Sequence, residues 1–377
     1  MHRSGGMGKL LNALGTMSGT SLDGIDLALV ATDGEQVVHR RAFASRPYDD
    51  EFRQELRRAL AAAAALDDRT ARPGILAAVE RELTDRHAAA IRDFLGREGL
   101  GPADVDLVAF HGQTLLHAPD RGLTVQLGDG PRLATALGVR VVYDLRAADV
   151  AAGGQGAPLA PVYHRALAGT AGGGPLAVLN VGGVANVTFV SADGELLAFD
   201  TGPGNALLDD WMLRMTGSAI DRGGTCAASG RSDAARVAAL MTNRYFAAPP
   251  PKSLDRNAFD VSGLEGLSPA DGAATLVAFT AEAVARAESF APQAPARWIV
   301  TGGGRHNAAM MAALAARLTT GEVMTAERAG VDGDAVEAEA WAYLGVRCVR
   351  GLAITFPGTT GVPAAATGGV VVGSRGP

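Results

Sequence analysis

The amino-acid sequence predicts an α/β protein of two domains, and three observations lead to that prediction. The chain has 377 residues, which is longer than a single hydrophobic core usually organises. In its second half, short apolar runs alternate with helical patterns, which is typical of a mostly parallel sheet covered by helices. Four glycine-rich turns follow short apolar runs, at residues 15–24, 180–186, 200–205 and 301–307. Turns at the carboxyl ends of such strands converge on one crevice, where ligands bind.

The first half of the chain reads as strands, then helices, then strands. LLNALGTM and IDLALVAT flank the first glycine-rich turn and predict a hairpin with a long tip, and QVVHRRAFA predicts a third strand. Two helices follow, because apolar residues recur at helical spacing in two sets: Phe52, Leu56 and Leu60, then Leu76, Val79, Leu83, Ile91 and Leu95. The segments DLVAF, TVQL and VRVVYD then predict three short buried strands.

The second half predicts the strands PLAVLNV, VANVTFV, ELLAFD and RWIVT. Helices are expected over NALLDDWMLRM and from about Ala273 to Ser289. The glycine-rich segment AAGGQGAP, near residues 151–158, is interpreted as the crossing between domains. We therefore place a first lobe at residues 1–145 and a second at 146–377, with the C-terminal segment free to pack back on the first lobe.

Composition and charge exclude several classes of function. The net charge of −6 leaves no basic footprint, so we expect no nucleic-acid partner. The longest uninterrupted apolar run, residues 59–66, is far too short to span a membrane. The two cysteines, Cys226 and Cys348, cannot form a disulfide framework and fit a reducing compartment. These features predict a cytoplasmic protein without a membrane partner.

The stretch MSGTSLDGID, residues 17–26, combines glycines, hydroxyl side chains and two aspartates. Backbone N–H groups without side-chain bulk can surround phosphate oxygens, and Ser and Thr hydroxyls add donors. The stretch is not a Walker P-loop, because it lacks Gly-Lys-Ser/Thr and is flanked by two predicted strands. Taken alone, a glycine-rich turn is more often a tight connection that binds nothing. The composition of this stretch favours a phosphate site over that alternative.

Asp200 is the candidate catalytic residue. It ends the predicted strand ELLAFD and precedes a helix that begins near Asn205, which places its carboxylate at the crevice. There it can act as a general base or can cap the helix, and spacing alone leaves both interpretations open. His111 and His117 do not have the spacing of a helical metal pair, so no histidine metal site is predicted.

Six motifs together carry a resemblance to a known family. They are MSGTSLDGID (17–26), HGQT (111–114), AAGGQGAPLAPVYH (151–164), NVGGVANV (180–187), FDTGPGNALLD (199–209) and GGGRHN (302–307). In this order they resemble the motifs of anhydro-N-acetylmuramic acid kinases, within the sugar kinase, heat-shock protein and actin superfamily. The resemblance runs from about residue 10 to about residue 350, nearly the whole chain.

The resemblance implies two RNase-H-like lobes with an interdomain ATP cleft. It implies an ATP-dependent kinase that also adds water, converting 1,6-anhydro-N-acetylmuramic acid to N-acetylmuramic acid 6-phosphate in peptidoglycan recycling. It also implies a homodimer. Two alternatives stay open: an ordinary kinase of the same superfamily that phosphorylates a free sugar hydroxyl, and an ATP-binding chaperone or regulatory protein.

Site residues follow from the same resemblance. Asp200 corresponds to the family's catalytic aspartate, and the sugar would contact Thr114, Arg146 and Glu337. Asp23 and Asp26 would hold Mg²⁺ through its waters. The residues implied to bind ATP are Gly19, Thr20, Ser21, Leu22, Asp23, Gly24, Ile25, Asp26, Asn180, Gly182, Gly183, Asn186, Gly302, Gly303, Gly304 and Asn307.

The sequence departs from the family next to Arg146. Ala147 and Ala148 stand where relatives often carry a second basic residue near the substrate. Another basic residue, Arg222 or Arg256, would then recognise the lactyl carboxylate of the sugar. The sequence does not decide between them.

Overall fold

The fold is that of a computed structural model, which describes residues 9–19, 21–170, 173–254 and 258–373. The chain divides into two compact units. The first contains the described residues up to Leu167 and those from Ala335 onward, and the second is Ala168–Asp334. The structure thus groups residues 146–167, which follow the expected boundary, with the first unit. One contact that holds them there is the hydrogen bond that the Tyr163 hydroxyl donates to Glu339 at 2.5 Å.

The strands are β1 (Leu11–Met17), β2 (Gly24–Thr32), β3 (Val38–Pro47), β4 (Leu107–Phe110), β5 (Gln113–Ala118), β6 (Leu123–Leu127), β7 (Val141–Tyr143), β8 (Leu176–Val181), β9 (Val184–Val190), β10 (Leu196–Pro203), β11 (Arg297–Thr301), β12 (Glu322–Thr325) and β13 (Val370–Val372). The helices are α1 (Asp50–Ala63), α2 (Leu76–Arg97), α3 (Gly130–Leu137), α4 (Ala147–Ala151), α5 (Pro161–Thr170), α6 (Ala206–Thr216), α7 (Thr225–Ser229), α8 (Ala234–Leu240), α9 (Pro269–Ala287), α10 (Ala308–Arg317), α11 (Val336–Val349) and α12 (Pro357–Thr360). Within the described residues, no helix is long and apolar enough to cross a membrane.

The first unit is built on a sheet of order β13-β7-β4-β1-β2-β3. Strands β1, β2 and β3 are antiparallel, whereas β4 and β7 run parallel to β1. On one face, Leu14 packs with the buried residues Phe52 of α1 and Ile91 of α2. On the other face α11 lies so close to β1 that a Cβ at Gly15 would be 1.9 Å from the carbonyl oxygen of Ala338. One face of β1 therefore needs a large apolar side chain at Leu14, and the other face has room only for glycine at position 15.

The second unit repeats this arrangement in a sheet of order β10-β9-β8-β11-β12. Here β8, β9 and β10 are antiparallel, and β11 and β12 run parallel to β8. The buried rings of Phe199, Phe279 and Trp298 belong to its core, with α9 packed on the sheet. Three antiparallel strands followed by two parallel ones is the RNase-H-like order, so the predicted fold class is confirmed in both units.

Three sequence-based expectations about the elements differ from the structure. The sheet of the second unit is mixed rather than mostly parallel, because short turns join β8 to β9 to β10, and short turns produce antiparallel neighbours. The helix expected from Ala273 begins at Pro269, because the Ser268 hydroxyl caps it by accepting from Asp271 N. The strand expected to end at Asp200 continues to Pro203 through a bulge between Asp200 and Gly202.

Candidate active site

A row of polar residues crosses the second-unit sheet near the carboxyl end of β8. The strand register pairs Thr301 with Asn180, Asn180 with Asn186, and Asn186 with Asp200. Side chains of directly paired residues lie on the same face of a sheet. The side chains of Asn180, Asn186 and Asp200 are half-buried, and that of Thr301 is buried. Three of the predicted site residues are therefore brought side by side on the neighbouring strands β8, β9 and β10.

Asp200 is held by the segment that ends at Leu254. The backbone N–H of Asp200 donates to the carbonyl oxygen of Lys252 at 3.1 Å, and the carbonyl oxygen of Asp200 accepts from the Tyr245 hydroxyl at 2.6 Å. Its carboxylate oxygen Oδ2 accepts from Leu254 N at 2.7 Å. The interpretation of Asp200 as a helix cap is wrong, because its carboxylate accepts from this segment and the N-cap position of α6 is Asn205.

Burial gives Asp200 the acid–base character of a proton acceptor. Desolvation raises its pKa to about 6, against the lowering effect of the hydrogen bond from Leu254. A carboxylate with a pKa near 6 is ionised at neutral pH and is a stronger base than an ordinary aspartate. The geometry and the electrostatics of Asp200 both fit a general base.

The turn after β8 packs directly on the turn before α6. Asn205 N donates to the carbonyl oxygen of Gly182 at 2.7 Å, and Gly204 N donates to that of Gly183 at 3.0 Å. A Cβ at Gly204 would lie 2.1 Å from the Gly182 carbonyl oxygen, so only glycine allows this approach. Gly183 is exposed, and its nearest neighbour for an added Cβ is Ala206 at 3.7 Å. These two turns leave backbone at the surface beside Asn180 and Asn186.

The loop after β11 also reaches this row. Gly302 has a φ of +72°, and a Cβ there would lie 2.3 Å from Oδ1 of Asn180. Gly303 is exposed, whereas Gly304 is buried against Val181. The side-chain oxygen of Asn307 caps α10 by accepting from Met310 N at 2.9 Å. The predicted contact of Asn307 with ATP, which the family resemblance implies to be with the adenosine part, would therefore have to use its amide nitrogen or its backbone.

Arg305 holds this loop, a role that sequence reasoning missed. Its guanidinium is buried, donates to the carbonyl oxygen of Gly302 at 3.0 Å and pairs with Glu327 at 2.7 Å and Asp334 at 2.9 Å. Desolvation raises the pKa of Glu327, but the hydrogen bond from Arg305 outweighs it and brings that pKa to about 2. The signal in the sequence was the lone arginine in GGGRHN, which needs partners if it is buried.

The glycines of the β1–β2 hairpin, in the first unit, fall into two groups. A Cβ at Gly15 or Gly24 would collide with backbone, at 1.9 Å from Ala338 and 2.2 Å from Arg46 respectively. A Cβ at Gly19 would meet nothing closer than the Ser21 hydroxyl at 3.6 Å. Packing therefore explains Gly15 and Gly24 but leaves Gly19 unexplained.

The other predicted phosphate contacts of the hairpin differ in exposure. Ser21 is exposed, while Leu22 and Ile25 are buried in the apolar core, so only the backbone of these two could face a ligand. Leu22 has a φ of +60°, an unusual conformation for a non-glycine residue. Thr20 lies outside the described residues.

Asp23 and Asp26 are the candidate Mg²⁺ ligands of this hairpin. The Asp23 side chain is 76% exposed and lies 3.7 Å from the Arg53 guanidinium, too far for a strong pair. No group of three possible metal-ligating side chains gathers anywhere in the described ranges. Mg²⁺ at nucleotide sites usually takes only one or two carboxylates, with phosphates and water completing its shell. The exposed Asp23 and the neighbouring Asp26 fit that requirement.

Arg146 is one of three predicted sugar contacts that belong to the first unit. It donates to the carbonyl oxygen of Gly156 at 3.0 Å, and its guanidinium carbon lies 5.1 Å from the ring centre of Trp341. Desolvation lowers its pKa to about 10, while the charge of Glu337 opposes that change. Arg146 therefore stays charged and can hold a polar or anionic group.

His111 supports Arg146 and was not among the predicted site residues. Its Nδ1 lies 2.7 Å from the carbonyl oxygen of Gly112, and its Nε2 lies 3.3 Å from the Arg146 guanidinium. Desolvation, and then the charge of Arg146, lower the pKa of His111 to about 3. A neutral imidazole that donates from Nδ1 leaves Nε2 to accept from Arg146. The motif HGQT contained this signal, which the histidine spacing argument passed over.

Glu337 and Thr114 are the other two predicted sugar contacts, and both belong to the first unit. The Glu337 side chain, on α11, reaches solvent but is closely surrounded by protein atoms. The resulting desolvation, and then the charge of Asp26, raise its pKa, and the charge of Arg146 lowers it. The Thr114 hydroxyl accepts from Gln126 Nε2 at 3.3 Å. Of the basic residues suggested for the lactyl carboxylate, Arg222 is exposed in the second unit and Arg256 lies outside the described residues. The predicted sugar contacts all belong to the first unit, where the charges of Arg146 and Glu337 act on each other, and Asp200 and the asparagines belong to the second.

Comparison with known proteins is consistent along the whole chain. A family model described as anhydro-N-acetylmuramic acid kinase matches residues 11–374. Proteins of that name from Methylobacterium nodulans and Rhizorhabdus wittichii are 54% and 56% identical to this chain. The alignments cover 96% and 97% of this chain and 99% of each relative. A solved structure, component A of (R)-2-hydroxyglutaryl-CoA dehydratase from Acidaminococcus fermentans, aligns with a TM-score of 0.46 and 13% identity over 89% of this chain and 99% of that one.

Proposed function

The chain belongs to the anhydro-N-acetylmuramic acid kinase family, and we propose on that premise that Asp200 is the general base of this kinase. The reaction converts 1,6-anhydro-N-acetylmuramic acid, ATP and water to N-acetylmuramic acid 6-phosphate and ADP, a step in peptidoglycan recycling. The observation that carries the proposal is the row of Asp200, Asn186 and Asn180 at the end of the second-unit sheet. In that row Asp200 alone is a carboxylate, and its pKa is raised to about 6.

The chemistry assigned to Asp200 follows from the structure of the substrate. The anhydro bridge joins O6 to C1, so the sugar has no free 6-hydroxyl. Asp200 accepts a proton from water while the water oxygen attacks C1 and the C1–O6 bond breaks. The released O6 then attacks the γ-phosphorus of ATP, and the bond to the ADP oxygen breaks. Positioning and charge stabilisation supply most of the remaining catalysis.

The other residues would bind the two substrates. Thr114, Arg146 and Glu337 would hold the sugar, with His111 and Trp341 fixing the Arg146 guanidinium. In the first unit, phosphates would lie on the hairpin backbone, at Gly19 and residues 21–26. In the second unit, they would lie on the backbone of the turns at Gly182, Gly183, Gly302 and Gly303, where Gly183 and Gly303 are exposed. Gly304, buried against Val181, would shape the loop instead. Mg²⁺, held through water by Asp23 and Asp26, would offset phosphate charge.

Two further properties come with family membership. We infer a cytoplasmic enzyme, which fits the two free cysteines Cys226 and Cys348. We also infer a homodimer.

The test of the substrate is a comparison of sugars. ADP release is measured with ATP and either the anhydro sugar or the free sugar N-acetylmuramic acid, which has an open 6-hydroxyl. We expect turnover with the anhydro sugar and, by mass analysis, a product heavier than the substrate by one water and one phosphoryl group. Faster turnover of the free sugar would indicate an ordinary sugar kinase. ATP binding without transfer to either sugar would support a chaperone or regulatory protein.

A further inference from the structure

Gln113 is a buried glutamine whose burial needs an explanation. It begins β5 within the HGQT motif and is 0% exposed. Its Nε2 donates to the carbonyl oxygen of Gly19 at 3.1 Å, at the tip of the β1–β2 hairpin. Its Oε1 has no hydrogen-bond partner within the described part of the chain. A buried unpaired oxygen destabilises a fold, and a methionine of similar length would avoid that effect. Packing alone therefore does not account for glutamine at this position.

The HGQT motif ties the hairpin to the strand that carries a predicted sugar contact. His111 N donates to the carbonyl oxygen of Thr16 at 3.3 Å, and the Ser18 hydroxyl donates to that of Gly112 at 2.5 Å. The Gln113 amide extends this series to Gly19. Gly19 is the hairpin glycine that packing leaves unexplained, because an added Cβ there would make only ordinary van der Waals contact, 3.6 Å from the Ser21 hydroxyl.

The side chains of Gln113 and Thr114 lie on opposite faces of β5 at its first two residues. Successive side chains of a strand point to opposite faces. Gln113 is buried towards the hairpin tip, while Thr114 is half-buried and accepts from Gln126. One strand end can thus order a phosphate-binding loop on one face and a sugar contact on the other.

We propose that Gln113 is a positioning residue for ATP: its amide fixes the hairpin tip at Gly19 so that the backbone of Gly19 and of residues 21–26 presents one arrangement to the phosphates. The proposal rests on the proposed function, in which the hairpin binds phosphates and Thr114 contacts the sugar. Gln113 itself touches neither substrate and acts through Gly19.

The test compares two glutamine-to-methionine variants of the full chain. Loss of the single bond to Gly19 in Gln113→Met is expected to raise the Kd of a non-hydrolysable ATP analogue and the KM for ATP about 5- to 10-fold. The KM for the anhydro sugar should stay within about 2-fold. Gln126→Met, which removes the bond to Thr114, should raise the KM for the anhydro sugar and leave the Kd of the ATP analogue and the KM for ATP nearly unchanged. In urea, Gln113→Met should unfold at a midpoint equal to or above that of the wild type, because it removes an unpaired buried oxygen.

Three outcomes would overturn the proposal. One is an unchanged Kd for the analogue in Gln113→Met. Another is an equal loss for both substrates together with a lower urea midpoint, which would mean a structural role. The third is an unchanged Kd in Gln113→Leu, which replaces the methionine variant if that protein does not fold. Because the analogue Kd is measured without sugar, a wild-type enzyme inactive on the anhydro sugar would contradict the proposed function and leave this test intact.

Discussion

Replacing Asp200 by asparagine should lower kcat and, above pH 6, make the protein more stable. The carboxyl has a pKa of about 6 in the folded protein and an ordinary value of 3.8 in the unfolded chain. Because the folded-state pKa is the higher one, folding is favoured by protonation of Asp200, and that contribution is lost as the pH rises through 6. Above this pH the ionised wild type is destabilised by burial of the charge. Asparagine has the same shape and can accept from Leu254, but it carries no charge.

The size of this effect follows from the two pKa values. Their difference, from 3.8 to about 6, corresponds to at most about 3 kcal/mol at 1.36 kcal/mol per pKa unit. Asp200 is only half-buried, so about 1–3 kcal/mol is expected. The free energy of unfolding of wild type and Asp200→Asn would be measured in urea at pH 4 and pH 8. The advantage of the variant should grow by that amount between the two pH values.

Asp260→Asn is a matched control, because the pKa of Asp260 is shifted in the opposite direction to that of Asp200. The amide and hydroxyl of Ser262 lower the pKa of the exposed Asp260, so Asp260→Asn should gain no stability between pH 4 and pH 8. If Asp200→Asn behaved like this control, the Asp200 carboxylate would be solvated, and the argument for a general base with a raised pKa would be wrong.

Four further predictions follow from the same site. Asp200→Asn should lose about 10²- to 10⁴-fold in kcat while still binding ATP and sugar; retention of more than about a tenth would make Glu337 the next candidate base. The wild-type kcat/KM should fall as the pH drops through about 6, because the base must be ionised, and a flat profile from pH 5 to 8 would contradict this. Gly19→Val should raise the KM for ATP about 10-fold or more with little loss of stability. Gly15→Val, which places side-chain atoms into α11, should instead lower the urea midpoint, and equal stability losses in both variants would contradict the distinction between a ligand-related and a packing glycine. Asp23→Asn should change mainly the Mg²⁺ and nucleotide dependence of the rate, and an unchanged Mg²⁺ titration would exclude it as a ligand.

The sequence predicted the fold class and the elements around the site because their signals are local. The apolar runs of β1, β2 and β8–β11 and the glycine turns between them were readable from spacing alone. The bulge at Asp200 was not, since it depends on cross-strand register and on the segment ending at Leu254. The sequence of a glycine-rich turn does not show whether packing or a ligand requires each of its glycines. The collisions that separate Gly15 and Gly24 from Gly19 involve a distant helix and the neighbouring strand, which only the fold brings close.

Residues that support the site through long-range contacts were the hardest to predict. His111 and Gln113 form hydrogen bonds with Arg146 and Gly19, which are far from them in sequence. Arg305 was predicted only as part of a glycine-rich loop, and its role became clear from its pairing with Glu327 and Asp334. Asn307 was predicted from the family to face adenosine, a prediction that spacing could not weigh against helix capping.

Oxygen labelling tests the central claim most directly. The enzyme is incubated with ATP and 1,6-anhydro-N-acetylmuramic acid in ¹⁸O-water and quenched early, before the free sugar exchanges its anomeric oxygen. We expect one solvent oxygen at C1 of the sugar 6-phosphate and none above background in the phosphoryl group, because water attacks the sugar and O6 attacks the phosphate. Solvent oxygen in released phosphate, with the anhydro bridge intact, would show a plain ATPase and contradict the account.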